Sequence, residues 1–456
     1  MLIVMSDLHF AESKSLALGG RQFNHNLPAE VYQDFFREIV ESLDDGVVPE
    51  VDLVLAGDIF ELTRSALWLE GPLRPYGHLD GIAEGGPLEG QILSILAAIA
   101  ADERVAGTLE IIKGLEPLFQ RPTHVHFIPG NHDRLTNATP AVRSAVRRML
   151  GMREDGAPFD NQYFHPFGEE PGVLVRHGHE YDPNNFGVNL TMDSALPAVL
   201  PAEWYKRPVL GDITTLELAA RLPKIFKDHY SDAVILRQAP LLTLYQRIME
   251  FDNVRPANAL MNFLFSTPGL SRGDTWKYLE PVFKEARDDI ARDMSLKQQF
   301  LSLGALVGIP LFNLRLLLDK RIWKKQIPFW VFGKLIQSLA GKYKLGTLMD
   351  MVAKEECLSG AESTINCLVS GHTHTPAVEL LGARGGRERF YLNSGTFRNA
   401  ITSAPDMLSF GRLRSRARVL IYGPGERNPE YTRETGWSFD YSTKFGYGSE
   451  VLSAEV

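Results

Sequence analysis

Leu2-Ile3-Val4-Met5-Ser6-Asp7-Leu8-His9 decides how the chain is read. Four apolar residues stop abruptly at Ser6-Asp7, as in a strand that feeds a functional loop. Val51–Ala56 follows the same plan and closes with Gly57-Asp58; Thr123–Ile128 follows it again and closes with Pro129-Gly130. Between the first two of these strands, Val31, Phe35, Ile39 and Leu43 recur every four positions within 29–44, which predicts one buried face of a helix. Residues 63–90, rich in Gly and Pro, read as a long loop, and 91–118 as a helical stretch. Strand, helix, strand, helix, strand argues an α/β sheet with active loops at the strand ends.

Further strands are expected at Val173–Val175, Asn366–Val369, Phe390–Leu392 and Arg418–Tyr422. The interval between the fourth and fifth strands is long, dominated by Leu, Ala, Lys and Arg, and reads as a helical insertion. The expected organisation is therefore a core of 1–190 and 366–425, an insertion over 191–365, and a polar, aromatic tail over 426–456 with no assigned structure. A chain of 456 residues suits two domains, or one core with a large insertion. With 44% hydrophobic and 23% charged residues it reads as globular, and its net charge of −8 provides no global basic field to attract nucleic acid. Two cysteines make no disulfide framework. The first ten residues lack a basic leader and are not expected to act as a signal peptide, so a cytoplasmic protein is expected. Residues 301–318 approach the length of a membrane span, but Pro310 and Arg315 interrupt them, and a buried or interfacial helix is expected instead.

Five short segments follow predicted strands: Asp7-Leu8-His9, Gly57-Asp58, Gly130-Asn131-His132-Asp133, His177-Gly178-His179 and Gly371-His372-Thr373-His374. Each alone has the composition of an ordinary turn. Together they hold six of the twelve histidines, and they supply carboxylate, amide and imidazole donors without a thiolate. That donor mix suits Mn, Fe or Zn. The other histidines, His25, His78, His124, His126, His165 and His229, receive packing or surface roles.

The order of these five segments resembles the calcineurin-like metallophosphoesterase family over residues 1–190 and 366–422, and Tyr391-Leu392-Asn393-Ser394-Gly395-Thr396 resembles the strand and turn after that family's last histidine motif. The resemblance implies a two-layered β-sandwich flanked by helices, here with a large helical insertion, which modifies the doubly wound reading. It implies two divalent metal ions, with Mn the first choice and Fe or Zn as alternatives. One ion would be held by Asp7, His9, Asp58 and His374, the other by Asp58, Asn131, His177 and His372, with Asp58 bridging. His132 would sit beside the phosphoryl group as the catalytic residue, and Asp133 would orient it through a hydrogen bond. His179 falls outside the ligand positions and is assigned as a substrate contact. Where the family often carries a second aspartate after Gly-Asp, this chain has Glu61, which keeps the carboxylate.

Such a site would hydrolyse a phosphodiester, phosphomonoester or phosphoanhydride by attack of a metal-bridging hydroxide, with His132 assisting the leaving oxygen. The insertion carries the substrate clue. Between Arg315 and Lys344, eight basic residues interleave with Trp323, Phe329, Trp330 and Phe332, and only Asp319 opposes them. That pattern suits an anionic membrane surface or a lipid headgroup, and equally a helical domain with its charges in water. A lid in this position is similar to the UDP-diacylglucosamine pyrophosphohydrolase branch, although this insertion is longer and that branch typically has Arg where His132 stands. A phosphorylated small molecule or lipid-linked phosphate is thus the expected substrate, with peripheral membrane contact through 315–344. Nuclease, cyclic-nucleotide phosphodiesterase, protein phosphatase and non-catalytic scaffold are the rival readings.

Overall fold

Leu2, Ile3, Val4 and Met5 are all buried, so the first strand is covered on both faces. Leu2 and Val4 point to one side and Ile3 and Met5 to the other, and this alternation propagates through the molecule. The computed structural model describes residues 1–447 apart from 24, 44–46, 169, 191–192, 194, 256–258, 307–308, 310, 320–344, 360–362, 385–386, 407 and 427–435. The fold is mixed α/β with several sheets and no barrel.

The strands are β1 Leu2–Met5, β2 Ala17–Leu18, β3 Arg21–Gln22, β4 Val51–Ala56, β5 Thr123–Ile128, β6 Gln162–Phe167, β7 Glu170–Arg176, β8 Val254–Arg255, β9 Ile365–Ser370, β10 Ala377–Arg384, β11 Arg387–Asn393, β12 Asn399–Ser403, β13 Phe410–Tyr422 and β14 Ser438–Tyr447. The first sheet runs β5-β4-β1-β13-β12-β8, with β14 also paired to β13; the second runs β10-β11-β9-β7-β6; β2 and β3 form a small ribbon. Strands β1, β4 and β5 are mutually parallel, as are β7, β9 and β11. Parallel strands deliver their C-terminal loops to one edge of each sheet.

Leu2, Val4, Val54, Ala56, Ile128, Val419 and Ile421 of the first sheet share one apolar cluster with Val173, Val175, Cys367, Val369 and Leu392 of the second. The opposite face of the first sheet, through Ile3, Met5, Leu53, Leu55 and Phe127, packs under the helices Ala29–Glu41, Pro87–Ala100, Glu103–Lys113 and Pro140–Leu150. The far face of the second sheet, through Leu174, Leu368 and Tyr391, packs against Tyr181, Phe186, Leu348 and Val352.

Several expectations change. The helix Ala29–Glu41 buries Tyr32, Phe35, Phe36 and Ile39, a wider stripe than a strict four-residue repeat. The single helical stretch expected over 91–118 is three helices, because Asp102 stops one and caps the next, accepting from the backbone N–H of Arg104 and Val105. Residues 63–90 contain two short 3₁₀ turns, and Trp68 is buried there with its indole N–H donated to Leu62 O at 2.7 Å. Within the region after 425, for which no structure was assigned from sequence, Ser438–Tyr447 forms β14 and pairs with β13 from Leu413↔Tyr447 to Tyr422↔Ser438.

The described part of 191–365 is largely helical, with its own apolar cluster, and it also lends β8 to the first sheet through Val254↔Ile401 and Arg255↔Thr402. Residues 301–318 are divided between the helices Met294–Leu306 and Leu311–Leu318, and among the described residues no helix is long and apolar enough to cross a membrane. Most of the basic and aromatic segment 315–344, from 320 onward, lies outside the described residues.

Trp437 lies just before β14, 7% exposed, stacked on Phe167 and set edge-on to Phe390. Trp437→Ala should therefore cost about 3 kcal/mol in chemical denaturation; a loss below about 1 kcal/mol would place the ring outside the shared core of the two sheets.

Candidate metal centre

The loops after the parallel strands converge through their backbones. Asp7 N–H donates to Gly57 O at 3.0 Å, His9 N–H to Asp58 O at 2.9 Å and Gly371 N–H to His177 O at 2.8 Å. His372 N–H donates to the Asp7 carboxylate at 3.0 Å, which ties the second sheet's loop to the first's. Seven non-glycine residues among those described have left-handed φ, and five of them are Asp7, His9, Asp58, His372 and His374, at +48° to +65°. Such backbone costs about 1–3 kcal/mol per residue and persists only where the surroundings enforce it. Gly57 (φ +87°) adds a steric requirement, since a Cβ there would stand 2.4 Å from His177 Nδ1. Gly130 is equally constrained, its Cβ position being 2.3 Å from Asp58 Oδ1.

One donor set comprises Asp7, His9 and His374. Asp7 Oδ1 is 3.1 Å from His374 Nε2 and 3.7 Å from His9 Nε2, and the two Nε2 atoms are 3.0 Å apart. Asp7 Oδ1 is buried and has no hydrogen-bond partner. An orphaned carboxylate oxygen facing two imidazole nitrogens is what a cation would satisfy. Burial and the neighbouring Arg255 guanidinium push His374 down to about 3, so its ring is neutral, as a metal ligand must be.

The second set comprises Asp58, His177 and His372. His177 Nε2 is 3.1 Å from Asp58 Oδ2 and 3.3 Å from Asn131 Oδ1, while its Nδ1 is 2.8 Å from Ala56 O. That carbonyl can hold the proton on Nδ1 and leave Nε2 for a ligand. His372 Nε2 also lies 3.1 Å from Asp182. Asp58 Oδ2 stands 3.9 Å from His9 Nε2, so this carboxylate lies between the two sets. Asn131 thus joins the second set through His177, and its side-chain N–H₂ faces Asn185 Oδ1 at 3.4 Å.

Burial opposes ionisation of Asp7, Asp58 and Glu61, yet the imidazoles around them hold all three carboxyls well below the usual range. Reciprocally, burial would lower His132 and His177, but Glu61 and Asp58 for the first and Asp58 for the second push them up to about 9 and about 10. Protons on these rings occupy the role that divalent cations would take.

The expected Asp133–His132 hydrogen bond is corrected. His132 Nδ1 is 2.5 Å from Glu61 Oε1, and the other Glu61 oxygen is 2.9 Å from His9 Nδ1. Asp133 instead accepts from the backbone N–H of Ile59, Phe60 and Gly130, fastening the Asp58 loop to the Asn131 loop. Burial and the nearby Asp58 charge raise Asp133 to about 7. Glu61 is therefore the carboxylate that orients the predicted catalytic histidine and a predicted ligand together. His179 is 4% exposed, packed edge-on to Phe186 and Tyr205, and absent from both donor sets; burial lowers it to about 4. Its enclosed position is that of a packing residue beside His177 and His372.

Sequence reasoning did not single out Asp182, Arg255 or Arg398. Arg398 reaches Glu61 and Asp252, each at 3.4 Å, and Arg255 reaches His374. Asp182 follows the His177-Gly178-His179 segment closely, which is the one available signal; the two arginines belong to segments with no motif. Two further trios occur among the described residues: His9, Glu61 and His132 share His9 with the first set, and His78, Asp80 and Glu203 are exposed, with Lys206 already paired to both carboxylates.

No protein-family model and no curated protein matches the chain.

Two outcomes follow from this geometry. Glu61→Gln should weaken divalent-metal binding roughly 10–100-fold in calorimetry, because His9 loses the carboxylate that orients it; unchanged affinity would show that Glu61 serves His132 alone. Metal affinity should also rise from pH 6 toward pH 9 with net proton release, since the ligand His177 carries a proton that a cation must displace. Binding without proton release would contradict that assignment.

Proposed function

We propose that this chain is a dinuclear metal-dependent hydrolase of phosphate esters or phosphoanhydrides, of the calcineurin-like metallophosphoesterase type. The observation that carries the reading is the pair of buried donor sets with Asp58 between them. The motif order is the other support, and two sheets sharing one apolar cluster between helical layers suit the sandwich expected of that family. Asp7, His9 and His374 would hold one ion, and His177, His372 and Asn131 the other, with Asp58 shared. Two divalent cations, Mn first and Fe or Zn next, would neutralise phosphoryl oxygens and lower the pKa of attacking water.

The chain's own groups do the rest. Glu61 keeps His132 oriented and protonated, so its ring presents a donor to the leaving oxygen. His132 N–H donates to Asp58 Oδ1 at 2.8 Å, which fixes the shared carboxylate. Asp133 acts as a positioning residue for that loop pair. The basic and aromatic residues of 315–344 favour a lipid-linked phosphate at the cytoplasmic face of a membrane as the natural substrate.

Metal-stripped protein should be inactive on bis-p-nitrophenyl phosphate and regain turnover on addition of Mn, Zn or Fe. His132→Ala should retain metal and lose about 10²–10⁴ in kcat. Parallel loss of metal and activity in that variant would move His132 among the ligands, and metal-replete wild-type protein inert on diesters, monoesters and anhydrides would overturn the hydrolase reading.

A further inference from the structure

Three arginines lie around Asp252 beside the donor sets, and they differ in how their charge is met. Arg64 pairs with Asp252 at 3.0 Å, and Arg398 with Glu61 and Asp252. Arg255 has no carboxylate within ion-pair distance among the described residues. Its Nη1 donates to Asp252 O at 2.6 Å and Val254 O at 3.1 Å, and its Nη2 is 2.8 Å from His374 Nδ1. The side chain is half-buried, and the two carbonyls fix the guanidinium.

A guanidinium has only donors, so in this arrangement the His374 Nδ1 is the acceptor. A neutral imidazole that binds a cation through Nε2 carries its hydrogen on Nδ1. With a cation on the Asp7, His9 and His374 set, Nη2 would therefore face a second donor and lose its acceptor. A positive charge beside a loaded metal site, with Nη1 pinned by two carbonyls and Nη2 left without an acceptor, calls for an anion. Resting on the hydrolase reading above, we infer that Arg255, carried into the site by β8 of the insertion, binds a phosphate oxygen of the substrate once the metals are in place. The insertion then completes the catalytic site with a specificity-determining cation held in register by Arg255↔Thr402. The oxygen belongs either to the reacting phosphoryl group or to a second phosphate of an anhydride.

The test is titration calorimetry of inorganic phosphate and of pyrophosphate into the Mn-loaded full chain, for wild type, Arg255→Gln and Arg255→Lys, with Mn content measured alongside. Gln lacks the charge, and its amide oxygen can accept from the His374 Nδ1–H of the loaded site. Arg255→Gln should keep its Mn and bind the anion at least about 10-fold more weakly. Arg255→Lys should fall between, having charge without the planar fork; it decides the matter if the Gln variant melts early. Equal weakening for both anions assigns Arg255 to the reacting phosphate, and weakening for pyrophosphate alone assigns it to the outer one. Wild-type affinity for both anions in the Gln variant, or loss of Mn with anion affinity intact, would overturn the inference. Because anion binding is read without turnover, absent diesterase activity would count against the hydrolase reading and leave this result standing.

Discussion

Everything in the site follows from burying three carboxylates, Asp7, Asp58 and Glu61, in one place. Negative charge taken from water is tolerated only beside positive charge or hydrogen-bond donors. The chain meets this with His9, His132 and His177, and with backbone N–H groups of His132 and His372. The protonated rings balance the charge, and under the proposed function cations would take over the part played by the proton on His177. The same residues thus stabilise the fold and define a place for divalent ions.

Holding such a cluster requires the strand ends to turn sharply. Two parallel strand sets end at the same edge, and five donor residues adopt left-handed backbone there. Gly57 and Gly130 let loops from different strands approach within what would be a Cβ radius. Asp133 turns the potential weakness of these loops into rigidity by collecting three backbone N–H groups. Behind them β1, β4 and β9 are buried along their whole length, which holds their ends in place.

Much of this was legible in the sequence, and the exceptions have physical causes. Strands β1, β4 and β9 announce themselves because strands buried along their whole length read as largely apolar runs, and β5, β7 and β11 because a short apolar run leads into a Gly, His or Asn turn. Strand β6 hides because Pro166 interrupts it, which an edge strand tolerates. Strand β14, with Asp440, Ser442 and Lys444 alternating, looks like a polar tail until β13 supplies a partner. The ligand-type residues were readable because strand-end motifs lie together in sequence. The orienting role expected of Asp133 falls to Glu61, since both lie near His132 and only the fold decides which carboxylate faces the ring. Arg255 was illegible, because a lone arginine in a helical insertion carries no motif and gains meaning from its pairing with β12.

The most direct measurement is anomalous scattering from crystals grown with Mn. Two peaks are expected, one among Asp7, His9 and His374, the other among Asp58, Asn131, His177 and His372, with Asp58 touching both. An absence of peaks there, or an ion bound only at the exposed His78, Asp80 and Glu203 trio, would contradict the dinuclear centre from which the proposed chemistry is derived.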